Sequence, residues 1–257
     1  MWTYWPNGAD QFIQTMGGRH ASMTTIMPIS YNLDDNGMFS CMAPTPSPPD
    51  NTDCADWDDH AAALQAEGYP TVPMVSLPPG SKTDGLTKLL ADKQSQAAFI
   101  QKAVDVAEQK GHAGFSIDWE PTGDYTVQEL RPFMSHLASA LHAAGKTLRY
   151  AGQGTNGNGW LGPGVLSTGV DRFQDMMNGY QLLLDVGKLK ARMHGAGGPD
   201  KYCLGLDPSQ PPKISQATFQ QQLDVAAKAG VRHICVWEDG IGDLGVLWDG
   251  LATFLKG

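Results

Sequence analysis

Residues Gly114-Phe115-Ser116-Ile117-Asp118-Trp119-Glu120-Pro121 decide how this chain folds. Apolar and polar side chains alternate along them, which is the two-residue period of a strand. Phe115, Ile117 and Trp119 share one face, and Ser116, Asp118 and Glu120 share the other. In a barrel strand the apolar set packs outward against helices while the polar set enters the barrel mouth. Two carboxylates two residues apart on one face do not both ionise cheaply. One proton held between them near neutral pH suits general-acid chemistry. An isolated Asp-x-Glu is more often a polar strand end capping the next loop, so the rest of the chain has to decide.

Working outward, the same type of run recurs. Strands are expected at Trp2–Trp5, Met23–Tyr31, Thr71–Leu77, Ala113–Trp119, Thr147–Gly152, Arg172–Met177, Tyr202–Leu206 and His233–Trp237. Helical patterns lie between them, among them Gln94–Gln109, Val127–Ala144, Gln181–Met193, Gln216–Ala229 and Leu244–Leu255. Gly68, Gly111, Gly145 and Gly230 each follow an alanine-rich run and precede the next strand, as helix-stopping glycines do. Strands alternating with helices imply parallel pairing through right-handed crossovers. Eight such units fit a closed (β/α)₈ (TIM) barrel, an α/β fold, better than an open doubly wound sheet, whose glycine fingerprint is missing. Residues 1–257 are therefore expected to form one catalytic barrel domain. Two long stretches, from Asn32 to about Asp56 and from Gln153 to about Gly169, follow strands and so belong to the C-terminal face, where barrel sites are built.

Charge and cysteines narrow the class. A formal net charge of −9 is unfavourable for nucleic acid or an anionic membrane, so neither is expected as a partner. No stretch approaches the roughly 18 to 20 apolar residues that span a bilayer. The start, Met1-Trp2-Thr3-Tyr4-Trp5, is not a charged segment leading into an apolar signal core, so an export signal is expected to be missing from this chain. Cys41 and Cys54 bracket a Pro-, Asp- and Thr-rich segment and read as a disulfide staple, which points to an oxidising, extracytoplasmic location. Cys203 and Cys235 sit inside apolar strand-like runs, so at most two free thiols are expected. No zinc-type spacing occurs and the seven histidines are scattered, so neither metal nor cofactor is expected.

The segment from Ala113 to Glu120 resembles the fourth-strand signature of glycoside hydrolase family 18, the chitinase and endo-β-N-acetylglucosaminidase family, Asp-Gly-x-Asp-x-Asp-Trp-Glu. Gly114, Asp118, Trp119 and Glu120 match it, whereas Ala113 and Ser116 replace its first two aspartates. Lys201–Leu206 is similar to the family's seventh strand, and Gly230–Trp237 to its eighth, whose terminal tryptophan floors the sugar pocket. Val170–Phe173 with Met176 is similar to the sixth. The resemblance implies substrate-assisted retaining hydrolysis of β-linked N-acetylglucosamine glycans, an exception to the two-carboxylate scheme. Glu120 would be the proton donor, and Asp118 would orient the 2-acetamido group that attacks the anomeric carbon. Ser116 stands where an aspartate usually shares a proton with the next one.

The sixth strand of the family ends Met-x-Tyr-Asp, but here the run is Met176-Met177-Asn178-Gly179, so Asn178 or Tyr180 would take the tyrosine's role. Trp237 is the candidate sugar platform, Tyr4 and Tyr31 are candidate pocket walls, and Gln153 is a candidate hydroxyl contact. Trp57 and Trp160 are candidates for stacking on outer sugars. Too few residues separate the seventh strand from the helix near Ile214 for the α+β insertion of processive chitinases, so the groove is expected to be shallow. The expected partner is an oligosaccharide or polysaccharide, and the expected state a monomer. Two other readings stay open: a non-catalytic glycan-binding barrel, and a glycosidase for substrates without an acetamido group, using Asp207 or Glu238.

Overall fold

The computed structural model describes residues 2–3, 13, 18, 21–41, 55–77, 84–119, 127–152, 167–176, 185–208, 215–238 and 245–256. Their strands are β1 (Trp2–Thr3), β2 (Met27–Leu33), β3 (Phe39–Cys41), β4 (Met74–Ser76), β5 (Gly114–Asp118), β6 (Thr147–Gly152), β7 (Arg172–Asp175), β8 (Tyr202–Leu206) and β9 (His233–Glu238). Their helices are α1 (Ala55–Ala66), α2 (Asp84–Ala91), α3 (Lys93–Gln109), α4 (Val127–Ala143), α5 (Val186–Gly195), α6 (Gln216–Ala229) and α7 (Gly245–Lys256). All strand pairings are parallel except β2–β3, and the order runs β1-β9-β8-β7-β6-β5-β4-β2, with β1 also pairing β2. One inner and one outer face follow from that cyclic order.

The two faces have different chemistry. The outer face carries the large core, in which Phe115, Ile117 and Trp119 pack with Phe99 of α3 and Phe133 of α4. Trp119 stacks on Phe133 at 5.7 Å and meets Phe99 edge-on at 6.0 Å. Fully burying three such side chains contributes on the order of 5 kcal/mol. A one-residue slip of β5 would exchange them for Ser116 and Asp118, so this packing fixes which face carries the carboxylate. The smaller inner cluster holds Met27, Ile29, Met74, Ala151, Met176, Cys203 and Cys235. Gly114 begins β5 at φ 155°, and a Cβ there would lie 2.0 Å from the Thr147 carbonyl oxygen. The motif's glycine is thus what lets β5 and β6 approach.

Caps mark the helix boundaries. Asp92 accepts from the N–H groups of Gln94 and Ser95, Ser215 accepts from Thr218, and Gly230 closes α6 in the left-handed region. Asp185 caps α5 through Lys188 N–H, so that helix begins at Val186 and not at the expected Gln181; residues 181–184 lie outside the described ones. Within the stretch expected to be a loop from Asn32 to Asp56, Phe39–Cys41 forms a strand antiparallel to Tyr31–Leu33. Cys41 is disulfide-bonded, while its expected partner Cys54 lies outside the described residues. Cys203 and Cys235 are also bonded to each other, a bridge that the sequence did not suggest and that lies within the expected limit of two free thiols. They lie on neighbouring strands, two residues out of register, with Cα atoms 5.8 Å apart. Closing the loop between these two positions, 32 apart in sequence, stabilises by roughly 3–4 kcal/mol on chain-entropy grounds.

Candidate functional site

Strand alternation brings Ser116 and Asp118 to the inner face, and both are buried, Asp118 at 8% exposure and Ser116 completely. Ser116 Oγ donates to Gln174 Oε1 at 2.6 Å. Since β6 separates β5 from β7, this bond crosses the interior and is not a contact between neighbouring strands. Gln174 Nε2 in turn lies 2.7 Å from Met27 Sδ and 3.7 Å from Cys235 Sγ. The single Ser116 proton is therefore directed to Gln174 and not to Asp118. Where the resemblance implies a proton-sharing aspartate, this chain has a neutral Ser–Gln pair.

Asp207 follows β8, is buried, and continues the inner-facing series Cys203, Gly205. Trp237, near the C-terminal end of β9, is half-buried and packs against the inner cluster. Asp118, Asp207 and Trp237 thus share the inner face at the C-terminal ends of three parallel strands, which is where barrel sites are built. Among the described residues no group of three or more His, Cys, Asp or Glu side chains is placed to hold a metal ion. Glu120, Gln153, Asn178, Tyr180, Tyr4 and Trp160 lie outside the described residues, as do the side chains of Trp57 and Glu238.

Tyr31 requires a correction. It is not on the pocket wall; it is 1% exposed in the outer core, against Phe39 and Phe115. The reason is a register shift. Ile29 pairs with Met74, but Tyr31 pairs with the next residue, Val75, so one extra residue on β2 turns Tyr31 outward. Its hydroxyl donates to Asp58 Oδ1 at 3.1 Å and lies 3.2 Å from His112 Nε2. Burial and Asp58 both push its pKa up, so it stays a neutral donor.

Sequence reasoning missed Gln174 as a part of this interior. The alternation leading to Met176 was the signal, because residues 174 and 176 must share a face. It also missed the support behind β7. Asp175 points outward and is fully buried, taking two bonds from Arg192 at 2.8 and 2.6 Å and one from Tyr202 Oη at 2.7 Å. Gly205 makes room for this part of β7, since a Cβ there would lie 2.3 Å from the Asp175 carbonyl oxygen. The arrangement clamps α5 and β8 to β7 beneath the last inner residue, Met176.

No protein-family model matches the sequence, and no curated protein does. Solved structures do match. A class V chitinase from Pseudomonas fluorescens Pf-5 superposes with a TM-score of 0.76 at 14% identity, covering 99% of this chain and 98% of that one. A chitinase from Chromobacterium violaceum gives 0.75 at 14% identity, over 100% and 99% of the two chains. The spore cortex-lytic enzyme SleL of Bacillus cereus gives 0.76 at 13% identity, over 99% of this chain and 72% of its own. At such identities the likeness speaks for the fold, and the fold of this chain is that of the family 18 type of chitinase.

Proposed function

We propose that this chain is a glycoside hydrolase that cleaves β-linked N-acetylglucosamine-containing glycans by substrate-assisted retaining hydrolysis. The observation that carries the reading is Asp118, a carboxylate on the inner face at the C-terminal end of β5, within a fold shared with chitinases. In this reading residues 1–257 form a single closed (β/α)₈ barrel. The short connection 207–215 leaves no room for an α+β insertion, so the groove is open. Glu120 protonates the glycosidic oxygen. The substrate's acetamido carbonyl oxygen attacks the anomeric carbon as the leaving sugar departs, and Asp118 accepts the acetamido N–H as positive charge spreads over the oxazolinium. Water then opens that ring and returns a proton to Glu120, so the β configuration is kept. Trp237 is the sugar platform, with Asn178 or Tyr180 on the acetamido oxygen and Tyr4 and Gln153 as outer contacts. The protein acts as an exported monomer.

The test is kinetic, on a fluorogenic chitobioside. Glu120→Gln removes the acid and keeps the shape, so turnover should fall at least the ~10²-fold typical of losing a general acid. Asp118→Asn should be comparably severe, while chito-oligosaccharide binding survives in the Gln variant. The first product formed must be the β anomer. An inverted product, or equal cleavage of substrates without an acetamido group, would overturn the mechanism. Binding without any hydrolysis by the unmodified protein would overturn the assignment as an enzyme.

A further inference from the structure

At the opposite, N-terminal ends of the strands, a cavity of about 70 Å³ lies between the sheet and α7. Among its lining residues are Thr25, which precedes β2, Arg149 of β6, Arg172 of β7 and His233 of β9. Arg232 lines it as well, at an exposed position paired with Asp200, so Arg149 and Arg172 are the two guanidinium groups of this space without an ion-pair partner within 4 Å among the described residues. Arg149 makes only long contacts, 3.5 Å to Thr25 Oγ1 and 3.7 Å to Met27 Sδ. Arg172 Nε is buried with no hydrogen-bond partner.

The carboxylates that act on them, Asp171 and Asp200, offset the burial only in part and also serve other partners. Asp171 accepts from Leu148 N–H at 2.8 Å and pairs with His142 at 2.8 Å, while Asp200 pairs with Arg232. Burial, and then Arg172 itself, lower the Arg149 pKa to about 10, which leaves it charged at neutral pH. Burial and the two arginines push His233 down to about 4, so it offers a neutral N–H. Two adjacent, partly buried cations whose nearby carboxylates are shared with other partners are costly, and an anion between them lowers that cost. That space admits several water-sized groups, enough for one tetrahedral oxyanion. Guanidinium forks suit such oxygens.

We propose that this cavity is a binding site for one small tetrahedral oxyanion of the phosphate class, held by Arg149 and Arg172 with His233 and Thr25 as neutral donors. The site is distinct from the proposed sugar face and does not depend on it. With an overall charge of −9 the protein repels anions in general, so saturable uptake would report this pocket and not its bulk field.

Equilibrium dialysis of the whole protein against radiolabelled inorganic phosphate at pH 7.5 should find one phosphate per chain, displaced by sulfate and not by sodium chloride of equal ionic strength. Phosphate should raise Tm in step with occupancy, by mass action. Arg172→Met should abolish both effects, and its Tm in phosphate-free buffer should equal or exceed that of the parent, because one of two adjacent, partly buried like charges has gone. Arg131→Gln, at an exposed position that does not line the cavity, should bind phosphate normally. Absence of saturable uptake up to ~10 mM phosphate, where mass action would give clear stabilisation by a specific site, overturns the proposal. So does a chloride-matched Tm rise, or a phosphate effect that persists in Arg172→Met.

Discussion

His112 lies two residues before the site strand β5, is completely buried, and should make the fold sensitive to mild acid. Its surroundings define the neutral tautomer. Gln65 Nε2 donates to Thr71 Oγ1 at 2.8 Å, and Thr71 Oγ1 lies 3.0 Å from His112 Nδ1, which can accept. On the other side Nε2–H can donate to Tyr31 Oη, which itself donates to Asp58, a partner of Lys110. Every proton in the chain is placed with the imidazole neutral. Burial pushes its pKa from 6.5 down to about 4; Asp58 opposes the shift, and Lys146 and Lys110 add to it. The unfolded chain therefore binds a proton as pH falls below 6.5 while the folded one does not until about pH 4. Stability is present in full above 6.5 and is lost across that window. At 1.36 kcal/mol per unit the loss is about 2 kcal/mol at pH 5 and about 3 kcal/mol once complete. Urea unfolding of the parent and of His112→Asn at pH 8, 6 and 5 isolates this residue from the carboxylates that titrate in both. The parent should be more stable at pH 8, and its advantage should shrink by about 2 kcal/mol at pH 5. A pH-independent difference between the two would refute a neutral buried imidazole.

Two further outcomes test the framework around the site. Gly114→Ala places a Cβ 2.0 Å from a backbone carbonyl oxygen that no rotamer change can move, so it should yield insoluble or unfolded protein by circular dichroism, whereas Ala113→Gly should fold. Thiol titration in denaturant without reductant should find no free thiol, since Cys41 is bonded and Cys203 is bonded to Cys235, and four after reduction.

What could be read from the chain was whatever depends on neighbours in sequence. Thr147–Gly152, Tyr202–Leu206 and Gln216–Ala229 match their expected bounds residue for residue, because a two-residue alternation or a capped alanine-rich run is a local signal. Features that depend on two strands at once were not legible. Tyr31 has the same parity as Met27 and Ile29, and only the pairing of β2 with β4 shows that the count slips before it. Cys203 and Cys235 each look like a small apolar strand residue. They become a bridge because Gly205 lies opposite Cys235 and sets the two cysteines on a diagonal of one inner face. Arg149 and Arg172 look like solvated strand starts until the ring order shows them facing a shared cavity.

The candidate site divides along the same line. Asp118 was legible because β5 alternates cleanly and its outer face is filled by Phe115, Ile117 and Trp119. What stands beneath Asp118 was not, because the partner of Ser116 is 58 residues away on a strand that does not pair with β5. That partner changes the chemistry expected there. An aspartate at position 116 would add a second negative charge to the interior and compete with Asp118 for one proton. The Ser116–Gln174 bond adds no charge and no titrating group, and it is itself buried with both side chains fully enclosed. Removing either member would leave a buried polar atom unsatisfied, at about 1–3 kcal/mol, so the pair is held as a unit. Within the proposed mechanism the consequence falls on Asp118. It has to keep its carboxylate toward the acetamido group without exchanging a proton with the residue below it.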